Sequence, residues 1–523
     1  MASQNNASNK YTNVKRLKMF RIFGPPGTGK TTTLLNMVDE ALAAGTHPHR
    51  IAFLAFTRKA ANEAKERAAE RFGLDAKKDL IYFRTLHSLA LTMTDIRPEQ
   101  VMQEANFREL GQKIGISLGG AKNTSFDDDM PSVVSSNDPV LGLINLARLR
   151  KVDLREQYNQ SNLDDDWNTV NYVDKCLREY KKGLGLYDFT DMLDQFVSGK
   201  NTFRPEFDLC FLDEAQDLSP LQWDIAHILD DSSKRMYCAG DDDQAIYRWA
   251  GADVDHFINL PGGSETLSQS YRVPQSVHNL AENVVRRITR RFPKRYEPKP
   301  ERGKVQRISH ISSLDMAEGS WLILSQAGYQ LQPVASDLKS NGHLFTYRGH
   351  RSISEKISEA VNGWEQMRKG KEISGDVARK IFSYMSTGTR ITRGYKKIPG
   401  LNDKEMVNIQ DLMVNHGLLI DGTMIWSEAM DKLPEIDRAY ITAMLRRGEK
   451  FNGIPRITAS TIHGSKGGEA DNVVLFTDLS AAADNAMRIN PDDMHRVFYV
   501  GVTRTRQNLY IVEPEDATRS YDL

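Results

Sequence analysis

The sequence has few cysteines, no apolar leader and no long apolar run. Only three of its 523 residues are cysteine, and no two of them form a C-x-x-C pair. These thiols are too few and too widely spaced for a zinc or iron–sulfur site built from cysteines alone. No uninterrupted apolar stretch approaches the ~18 residues of a membrane-spanning helix. We therefore expect a protein of a reducing, cytosolic compartment with no membrane partner.

Net charge is also absent. Lys plus Arg and Asp plus Glu each number 69, so the formal net charge at pH 7 is zero. A chain with this balance is not a polybasic coat for nucleic acid, and any phosphate-binding surface must come from local placement of charge. At about 100 to 200 residues per domain, the length predicts roughly three or four domains.

Short apolar runs alternate with helix-favouring stretches in the first and last parts of the sequence. Such runs indicate buried strands, and the stretches between them are typical of helices. The alternation predicts an α/β fold with parallel sheets and helices on both faces. The runs read, in chain order, MFRIF, IAFLAF, FDLCFL, KRMYCAG, WLILSQ, HLFTYRG, RITAST, NVVLFT and NLYIV.

Two polar, helix-biased stretches interrupt this alternation and predict a mostly helical insertion in each of two α/β domains. Between the two domains, Arg286 to Lys304 carries nine Lys or Arg against two Glu, with three prolines, and is predicted to be a linker with a basic face. The predicted parts are 1–95 and 203–290 for the first α/β domain, 96–202 for its insertion, 291–349 and 453–523 for the second α/β domain, and 350–452 for its insertion.

A phosphate-loop pattern, G-x-x-x-x-G-K-[ST], lies between the first predicted strand and the following helix. Its glycines let backbone N–H groups close around phosphate oxygens, and the helix N-terminus adds partial positive charge. Lys30 is predicted to reach the β- and γ-phosphates, and Thr31 to coordinate Mg²⁺. The flanking strand and helix disfavour a glycine-rich turn without a ligand. The predicted cradle comprises Gly24, Pro25, Pro26, Gly27, Thr28, Gly29, Lys30, Thr31 and Thr32.

An acidic pair directly follows the apolar run FDLCFL. Asp213 is predicted to hold Mg²⁺ through water, and Glu214 to orient and deprotonate the attacking water. A lone Asp-Glu pair is usually a surface cap. After a buried strand, and together with a phosphate loop, it predicts a nucleoside triphosphate hydrolase.

Further segments, in a fixed order, resemble the UvrD/Rep-like group of superfamily I DNA helicases. AFTRKAA and RTLHSLA look like the Ia and Ib segments of that family, and GDDDQAIYRWAGAD and LSQSYRVP follow DEAQD; TIHGSKGGEADNV and FYVGVTRTRQNLYI complete the series. The resemblance implies two RecA-like parallel-sheet domains and an ATP-dependent DNA helicase. It also implies 3′ to 5′ movement on single-stranded DNA, binding at single-strand/duplex junctions, a place in DNA repair or replication, and the cytoplasm of a bacterial or phage-infected cell.

The resemblance also implies roles for the matched residues. Gln244 resembles the glutamine that senses the γ-phosphate, Arg272 a γ-phosphate arginine, and Arg504 a second arginine from the other α/β half. Tyr271 looks like the aromatic residue that stacks on adenine, and Glu469 like the residue that meets the ribose. The positions that match the family along the DNA strand are Phe56, Thr57, His87, Tyr247, Trp249, Thr461 and His463.

Alternatives stay open for both residues and function. Trp249 could be a core tryptophan, and each histidine a satisfied structural residue. The sequence departs from the family at Ala250, where relatives usually carry arginine, and a clear upstream glutamine motif is missing. The second functional hypothesis is a translocase that strips proteins from single strands with little unwinding. A scaffold with a decayed ATP site is disfavoured by Lys30 and Glu214, and a nuclease subunit because no carboxylate-rich block follows Tyr510.

Overall fold

The computed structural model describes residues 19–119, 138–199, 202–451 and 453–523. The chain divides into two compact units, the first formed by Met1–Arg302 with Asn485–Thr503 and the second by Gly303–Asp484 with Arg504–Leu523. Each unit contains a mainly parallel sheet, which confirms the predicted α/β fold with two parallel-sheet domains. Among the described residues, no helix is both long enough and apolar enough to cross a membrane.

Six strands of the first unit form a parallel sheet in which the helices cover both faces. The inner strand IAFLA is accordingly apolar throughout, and every one of its residues is buried. The strands of this unit are β1 Met19–Phe23, β2 Ile51–Ala55, β3 Phe83–Thr85, β4 Phe207–Leu212, β5 Ser233–Gly240, β6 Ser264–Thr266, β7 Gln269–Pro274 and β8 Glu297–Lys299. The sheet order is β3-β2-β4-β5-β1-β6, and β7 pairs with β8 separately. Because all six sheet strands are parallel, their carboxyl ends meet at one edge.

Eleven helices accompany these strands in the described part of 19–302. Those at 104–114, 139–150 and 167–184 share an apolar core of their own, whereas the helix at 189–198 packs into the core of the sheet. The core that the three helices share includes Leu143, Val173 and Leu177. The mostly helical character predicted for the insertion is thus present, while the stretch 120–137 lies outside the described residues. The helices are α1 Lys30–Ala43, α2 Arg58–Phe72, α3 Leu86–Met93, α4 Glu104–Ile114, α5 Pro139–Arg150, α6 Leu154–Asn159, α7 Trp167–Leu184, α8 Phe189–Ser198, α9 Pro220–Asp231, α10 Val254–Asn259 and α11 Gln275–Val285.

The second unit is built on a seven-stranded sheet in which one edge pair is antiparallel. Its strands are β9 Lys304–Ile308, β10 Trp321–Ser325, β11 Phe345–Tyr347, β12 His350–Arg351, β13 Ile373–Ser374, β14 Met406–Val407, β15 Ile457–Thr461, β16 Ala470–Phe476 and β17 Thr505–Val512. The sheet order is β12-β11-β15-β10-β16-β17-β9, with β11 and β12 antiparallel, and β13 pairs only with β14.

The helices of this unit are concentrated in the predicted second insertion. They share one apolar cluster with the sheet, so that Trp364 of the insertion and Ile323 of β10 belong to the same core. The helices are α12 Gln332–Ser340, α13 Glu355–Arg368, α14 Gly375–Ser383, α15 Ile409–Asn415, α16 Trp426–Ala429, α17 Glu435–Arg447 and α18 Ala481–Ile489, the last of which crosses the division after Asp484.

The last helix, α19 (Pro491–Val502), packs in the first unit, whereas the sequence predicted 453–523 as part of the second α/β domain. Asp492 in its first turn accepts hydrogen bonds of 2.9 Å from the backbone N–H groups of Thr289 and Arg290. The fully buried Arg496 donates from Nε to a backbone carbonyl of the first unit at 2.9 Å. These contacts hold α19 in the first unit, and nothing in its local sequence pattern identifies these partners.

The division between the units lies within the predicted linker of residues 286–304, but the linker differs from the prediction in its charge. The division between the units falls after Arg302 instead of after residue 290. Several cations of the run are paired within the first unit, as Arg290 Nε is 2.6 Å from Asp255 Oδ1 and Arg291 Nη2 is 2.7 Å from Asp243 Oδ2. Lys294 is enclosed altogether. Arg291 and Lys294 are therefore not part of a basic face, whereas Arg290 stays exposed in its ion pair with Asp255.

Candidate functional site

The phosphate loop lies between β1 and α1, as the motif predicts. A Cβ atom at Gly24 would come within 1.8 Å of Lys30 Cγ, so no side chain fits there. Gly27 has a φ of 71°, which disfavours other residues. Lys30 Nζ donates a hydrogen bond of 2.9 Å to the carbonyl oxygen of Gly24. The loop therefore curls tightly over the N-terminus of α1, where backbone N–H groups and the helix dipole favour an anion.

Thr31 and Asp213 meet at the carboxyl ends of β1 and β4. Thr31 Oγ1 donates a hydrogen bond of 2.7 Å to Asp213 Oδ2. Burial raises the pKa of Asp213 to about 6, and the neighbouring Glu214 charge acts in the same direction, while Lys30 and the Thr31 hydroxyl oppose both. Hydroxyl and carboxylate oxygens are the ligand types that Mg²⁺ takes in phosphate-loop enzymes. The donor set thus fits the predicted metal.

Glu214 adopts an unusual backbone conformation beside this pair. Its φ of 55° lies in the left-handed region, which is uncommon for a residue with a side chain. Its N–H donates to Asp213 Oδ1 at 2.9 Å, and its Oε1 lies 3.8 Å from Lys30 Nζ. Strain of this kind often occurs at functional sites, where the surroundings hold it in place. The turn aims the Glu214 carboxylate toward the phosphate-loop lysine.

Gln244 is connected to Glu214 through two residues that were not predicted from the sequence. Gln244 Nε2 donates to Asp241 Oδ2 at 2.6 Å, and the Asp241 N–H donates to Gln216 Oε1 at 2.9 Å. Gln216 Nε2 in turn donates to Glu214 Oε2 at 2.6 Å. The glutamine in DEAQD and the first aspartate of GDDDQ were visible signals for this path, but their motifs alone do not show that they touch.

Strand β7 is attached to the phosphate loop and presents Tyr271 beside it. Ser270 Oγ donates to the carbonyl oxygen of Pro26 at 2.7 Å, and the Tyr271 N–H donates to that of Gly27 at 2.9 Å. The Tyr271 side chain is 76% exposed. A Cβ atom at Gly27 would lie 2.3 Å from Arg272 Cβ, which places the backbone of this predicted γ-phosphate arginine against the loop.

Three of the predicted DNA-contacting residues form an aromatic cluster in the first unit. The rings of Phe56 and Tyr247 stack with centroids 5.6 Å apart, and the rings of Tyr247 and Trp249 are 6.5 Å apart. Tyr247 is only 3% exposed, whereas Trp249 is 46% exposed. The core alternative for Trp249 is therefore wrong, and Tyr247 is an inner member of the cluster.

Thr57 and His87 follow β2 and β3: Thr57 is the N-cap residue of α2, and His87 lies in the first turn of α3. Thr57 Oγ1 accepts a hydrogen bond of 3.2 Å from the Ala60 N–H and so caps α2. His87 Nε2 is buried, with no hydrogen-bond partner among the described residues. Burial, and then the charge of Arg58, lowers the pKa of His87 to about 4. The imidazole is therefore neutral near pH 7.

The remaining predicted residues lie in the second unit. Thr461, at the end of β15, accepts a hydrogen bond of 3.1 Å from the Gly464 N–H, and His463 begins the following turn. Arg504 is buried and donates to the carbonyl oxygen of Gly468 at 3.3 Å. Its neighbour in this region, Glu469, has Oε1 3.5 Å from Arg506 Nη1. Glu469 and Arg504 are thus brought together around one turn.

Within the first unit, the two sets of predicted residues occupy different stretches of the same sheet edge. The nucleotide set follows β1, β4 and β5, while Phe56 and His87 follow β2 and β3 at the other side of the sheet. Tyr247, from the segment after β5, reaches Phe56 across this edge. The aromatic cluster therefore adjoins the glutamine turn that contains Gln244.

Comparison with known proteins gives two matching family descriptions. The UvrD/REP helicase N-terminal domain matches residues 4–262, and the UvrD-like helicase C-terminal domain matches residues 456–512. The ATP-dependent DNA helicase PcrA of Leuconostoc citreum is 26% identical over 381 residues, which cover 70% of this chain and 50% of that protein. The Staphylococcus aureus (strain Mu50) PcrA is 24% identical over 291 residues, 52% of this chain and 38% of that protein. The chain thus spans half, or less, of these curated relatives.

A solved structure of PRRSV helicase aligns with 97% of this chain, and the alignment covers 55% of the helicase chain. Its sequence identity is 12% and its TM-score is 0.34. This likeness is too low to carry weight, and the parallel sheets and the two family matches stand without it.

Proposed function

Because the chain belongs to the UvrD/Rep-like superfamily I helicases, we propose that it hydrolyses ATP to move along single-stranded DNA in the 3′ to 5′ direction and to unwind duplex DNA. The observation that carries this proposal is the meeting of Lys30, Thr31, Asp213 and Glu214 at the phosphate loop, with the aromatic cluster on the same sheet edge.

For hydrolysis, the loop backbone would hold the phosphates while Lys30 exchanges its contact with the Gly24 carbonyl for the β- and γ-phosphate oxygens. Thr31 and Asp213 would hold Mg²⁺, which when bound neutralises phosphate charge. Glu214 would orient the attacking water and accept its proton. Its turn conformation and hydrogen bond from Gln216 keep the carboxylate pointed at the loop.

Two further residues would complete the nucleotide contacts in the first unit. The exposed ring of Tyr271 would stack on adenine, since every base offers an apolar face to an aromatic side chain. Arg272 would stabilise the charge that develops on the transferred phosphoryl group, and such arginines in related enzymes contribute ~10³ to 10⁵ in rate. The attachment of β7 to the loop supports both roles.

For DNA, the exposed face of Trp249 would stack against a base, a contact worth about 1 to 3 kcal/mol. Tyr247 and Phe56 would support that ring from beneath, because Tyr247 is buried between the other two members. His87 would contribute as a neutral ring. Stacking of this kind tolerates any sequence and suits a protein that moves along a strand.

The roles of Arg504, Glu469, Thr461 and His463 follow the resemblance. Arg504 would act as the second γ-phosphate arginine and Glu469 on the ribose, while Thr461 and His463 would contact the strand. In the second unit, the packing of Arg504 against the Gly468 carbonyl supports a fixed guanidinium. Arg504→Lys keeps a cation there and is the matched comparison for Arg504→Ala in turnover assays.

The test is strand separation on duplexes that carry a 3′ or a 5′ single-stranded tail. We expect ATP-dependent unwinding of the 3′-tailed duplex and none by Lys30→Ala. Unwinding of the 5′-tailed duplex alone would contradict the proposed direction. If neither tail supports unwinding although DNA stimulates hydrolysis, the helicase proposal fails and the protein-stripping translocase takes its place.

A further inference from the structure

A buried cluster of charges lies directly behind Gln244. Lys294 Nζ lies 3.1 Å from Asp241 Oδ1, 2.6 Å from Asp242 Oδ1 and 2.6 Å from Asp243 Oδ2. All four side chains are at most 1% exposed. An enclosed ammonium group is strongly unfavourable unless it is paired. The three carboxylates therefore hold Lys294 in place, and Lys294 holds the three carboxylates together.

The segment that carries Lys294 contacts two other parts of the first unit. Arg291 donates from Nε and Nη2 to the two oxygens of Asp243 at 2.8 and 2.7 Å, and the Phe292 N–H donates to Asp242 Oδ2 at 2.7 Å. The Phe292 ring stacks on Phe23 with centroids 4.0 Å apart. Phe23 ends β1 just before the phosphate loop. The segment that carries Lys294 therefore contacts both β1 and the turn formed by Asp241, Asp242 and Asp243.

Asp241 is the junction between this cluster and the proposed catalytic residues. One of its carboxylate oxygens faces Lys294, and the other accepts the hydrogen bond from Gln244. Its backbone N–H is donated to Gln216, which donates to Glu214. A carboxylate pinned at one oxygen has a fixed orientation, so its second oxygen also holds the Gln244 amide in one orientation.

We propose that Lys294 is a positioning residue for ATP hydrolysis: through Asp241 it orients Gln244 and, by way of Gln216, Glu214. The hydrolytic part rests on the proposed function. Lys294 acts on the geometry of the turn and leaves nucleotide binding to the phosphate loop. Its loss therefore lowers kcat while the affinity for nucleotide changes little.

A charge-balanced variant separates this role from simple loss of folding. Lys294→Met alone leaves three buried carboxylates with less compensation, and is expected to destabilise the fold. Lys294→Met combined with Asp242→Asn removes one charge of each sign and keeps the shapes of both side chains. Arg291→Gln is the matched control, because it breaks a neighbouring ion pair on Asp243, whereas the hydrogen bond from Gln244 Nε2 goes to Asp241.

The first measurement is hydrogen–deuterium exchange over residues 239–245. We expect faster exchange of the Asp241 turn in the double variant than in Arg291→Gln, because the donated Asp241 N–H is no longer held against Gln216. The second is ATP turnover with single-stranded DNA. We expect kcat to fall at least about tenfold, with KM and the Kd of a fluorescent ATP analogue within about threefold of wild type. Arg291→Gln should keep kcat within about twofold.

Unchanged exchange and unchanged kcat in the folded double variant would overturn the proposal, as would an equal loss of kcat in Arg291→Gln. If the double variant does not fold, Asp241→Asn decides, since it leaves Lys294 paired with Asp242 and Asp243. Wild-type kcat in Asp241→Asn would overturn the proposal. If the wild-type protein hydrolyses no ATP, the proposed function fails, while exchange still shows whether Lys294 holds the turn.

Discussion

Thr31 and Asp213 are 182 residues apart in the sequence, yet the Thr31 hydroxyl donates a 2.7 Å hydrogen bond to the Asp213 carboxylate. The parallel sheet produces this contact, because it brings the carboxyl ends of β1 and β4 to one edge. The two oxygens that would hold Mg²⁺ are therefore adjacent before any ligand arrives.

The variant Thr31→Ala tests this pair. Loss of the hydroxyl should raise the Mg²⁺ concentration needed for half-maximal ATP turnover by about tenfold or more, by analogy with the loss of groups around other metal sites. Thr33→Ala is the control, because the Thr33 hydroxyl donates to the carbonyl oxygen of Gly29, the N-cap residue of α1, whereas the Thr31 hydroxyl donates to Asp213. An unchanged Mg²⁺ requirement in Thr31→Ala would contradict the assignment.

Replacement of Trp249 tests the aromatic cluster as a DNA contact. Trp249→Ala should weaken single-stranded DNA binding by about 1 to 3 kcal/mol, and Trp249→Phe by less, because a phenyl ring still stacks. Fluorescence anisotropy with a labelled oligonucleotide measures both. Tyr329→Ala is the control, since Tyr329 is an exposed aromatic residue with no role in the account. Equal affinities of Trp249→Ala and the control would exclude the stacking role.

The low pKa of His87 predicts that its contribution to DNA binding does not depend on pH near neutrality. Burial, followed by the charge of Arg58, lowers this pKa from its usual 6.5 to about 4, so the ring gains a proton only as the pH approaches that value. The ratio of Kd values for His87→Ala and wild type should thus stay constant between about pH 6 and about pH 8. A ratio that grows as the pH falls across this window would show a cationic contact.

The low pKa of Asp188 predicts that part of the stability of the first unit is lost in acid. Burial opposes its ionisation, but Arg148 and Lys181 outweigh burial and lower its pKa to about 2. Since the folded pKa is below the unfolded value, the stabilisation is present above about pH 4 and is lost as the pH falls toward about 2. Asp188→Asn should therefore lower the free energy of unfolding at pH 7 by on the order of 2 kcal/mol. Urea titration measures this difference. A deficit that does not shrink in acid would contradict this origin.

The positions of the buried strands were predictable, because a short run of apolar residues indicates such a strand. MFRIF and FDLCFL form strands at their predicted positions, Met19–Phe23 and Phe207–Leu212. The edge strand Ser264–Thr266 was not predicted, because three residues with polar side chains carry no apolar pattern and pair only through the backbone. Residues 453–523 were predicted as part of the second α/β domain, whereas helix α19 belongs to the first unit; its burial on nearly all sides does not identify its partner.

The site was predictable where the chemistry demands a motif. Lys30 and Asp213 could be named because a phosphate loop and a strand-end acid work only together. Lys294 could not, because within a basic, proline-containing run it is indistinguishable from a solvated cation, and only the fold encloses it among three carboxylates. Tyr247 was predicted to lie along the bound DNA strand, and only the structure shows that Phe56 and Trp249 flank its ring.

The central claim is that nucleotide hydrolysis at the phosphate loop is coupled to single-stranded DNA. The most direct test is steady-state ATP turnover of the wild-type protein and of Lys30→Ala, each with and without a single-stranded oligonucleotide. We predict turnover that rises when DNA is added to the wild type, and none above background in Lys30→Ala under either condition. Turnover that ignores DNA, or that survives in Lys30→Ala, would contradict the account.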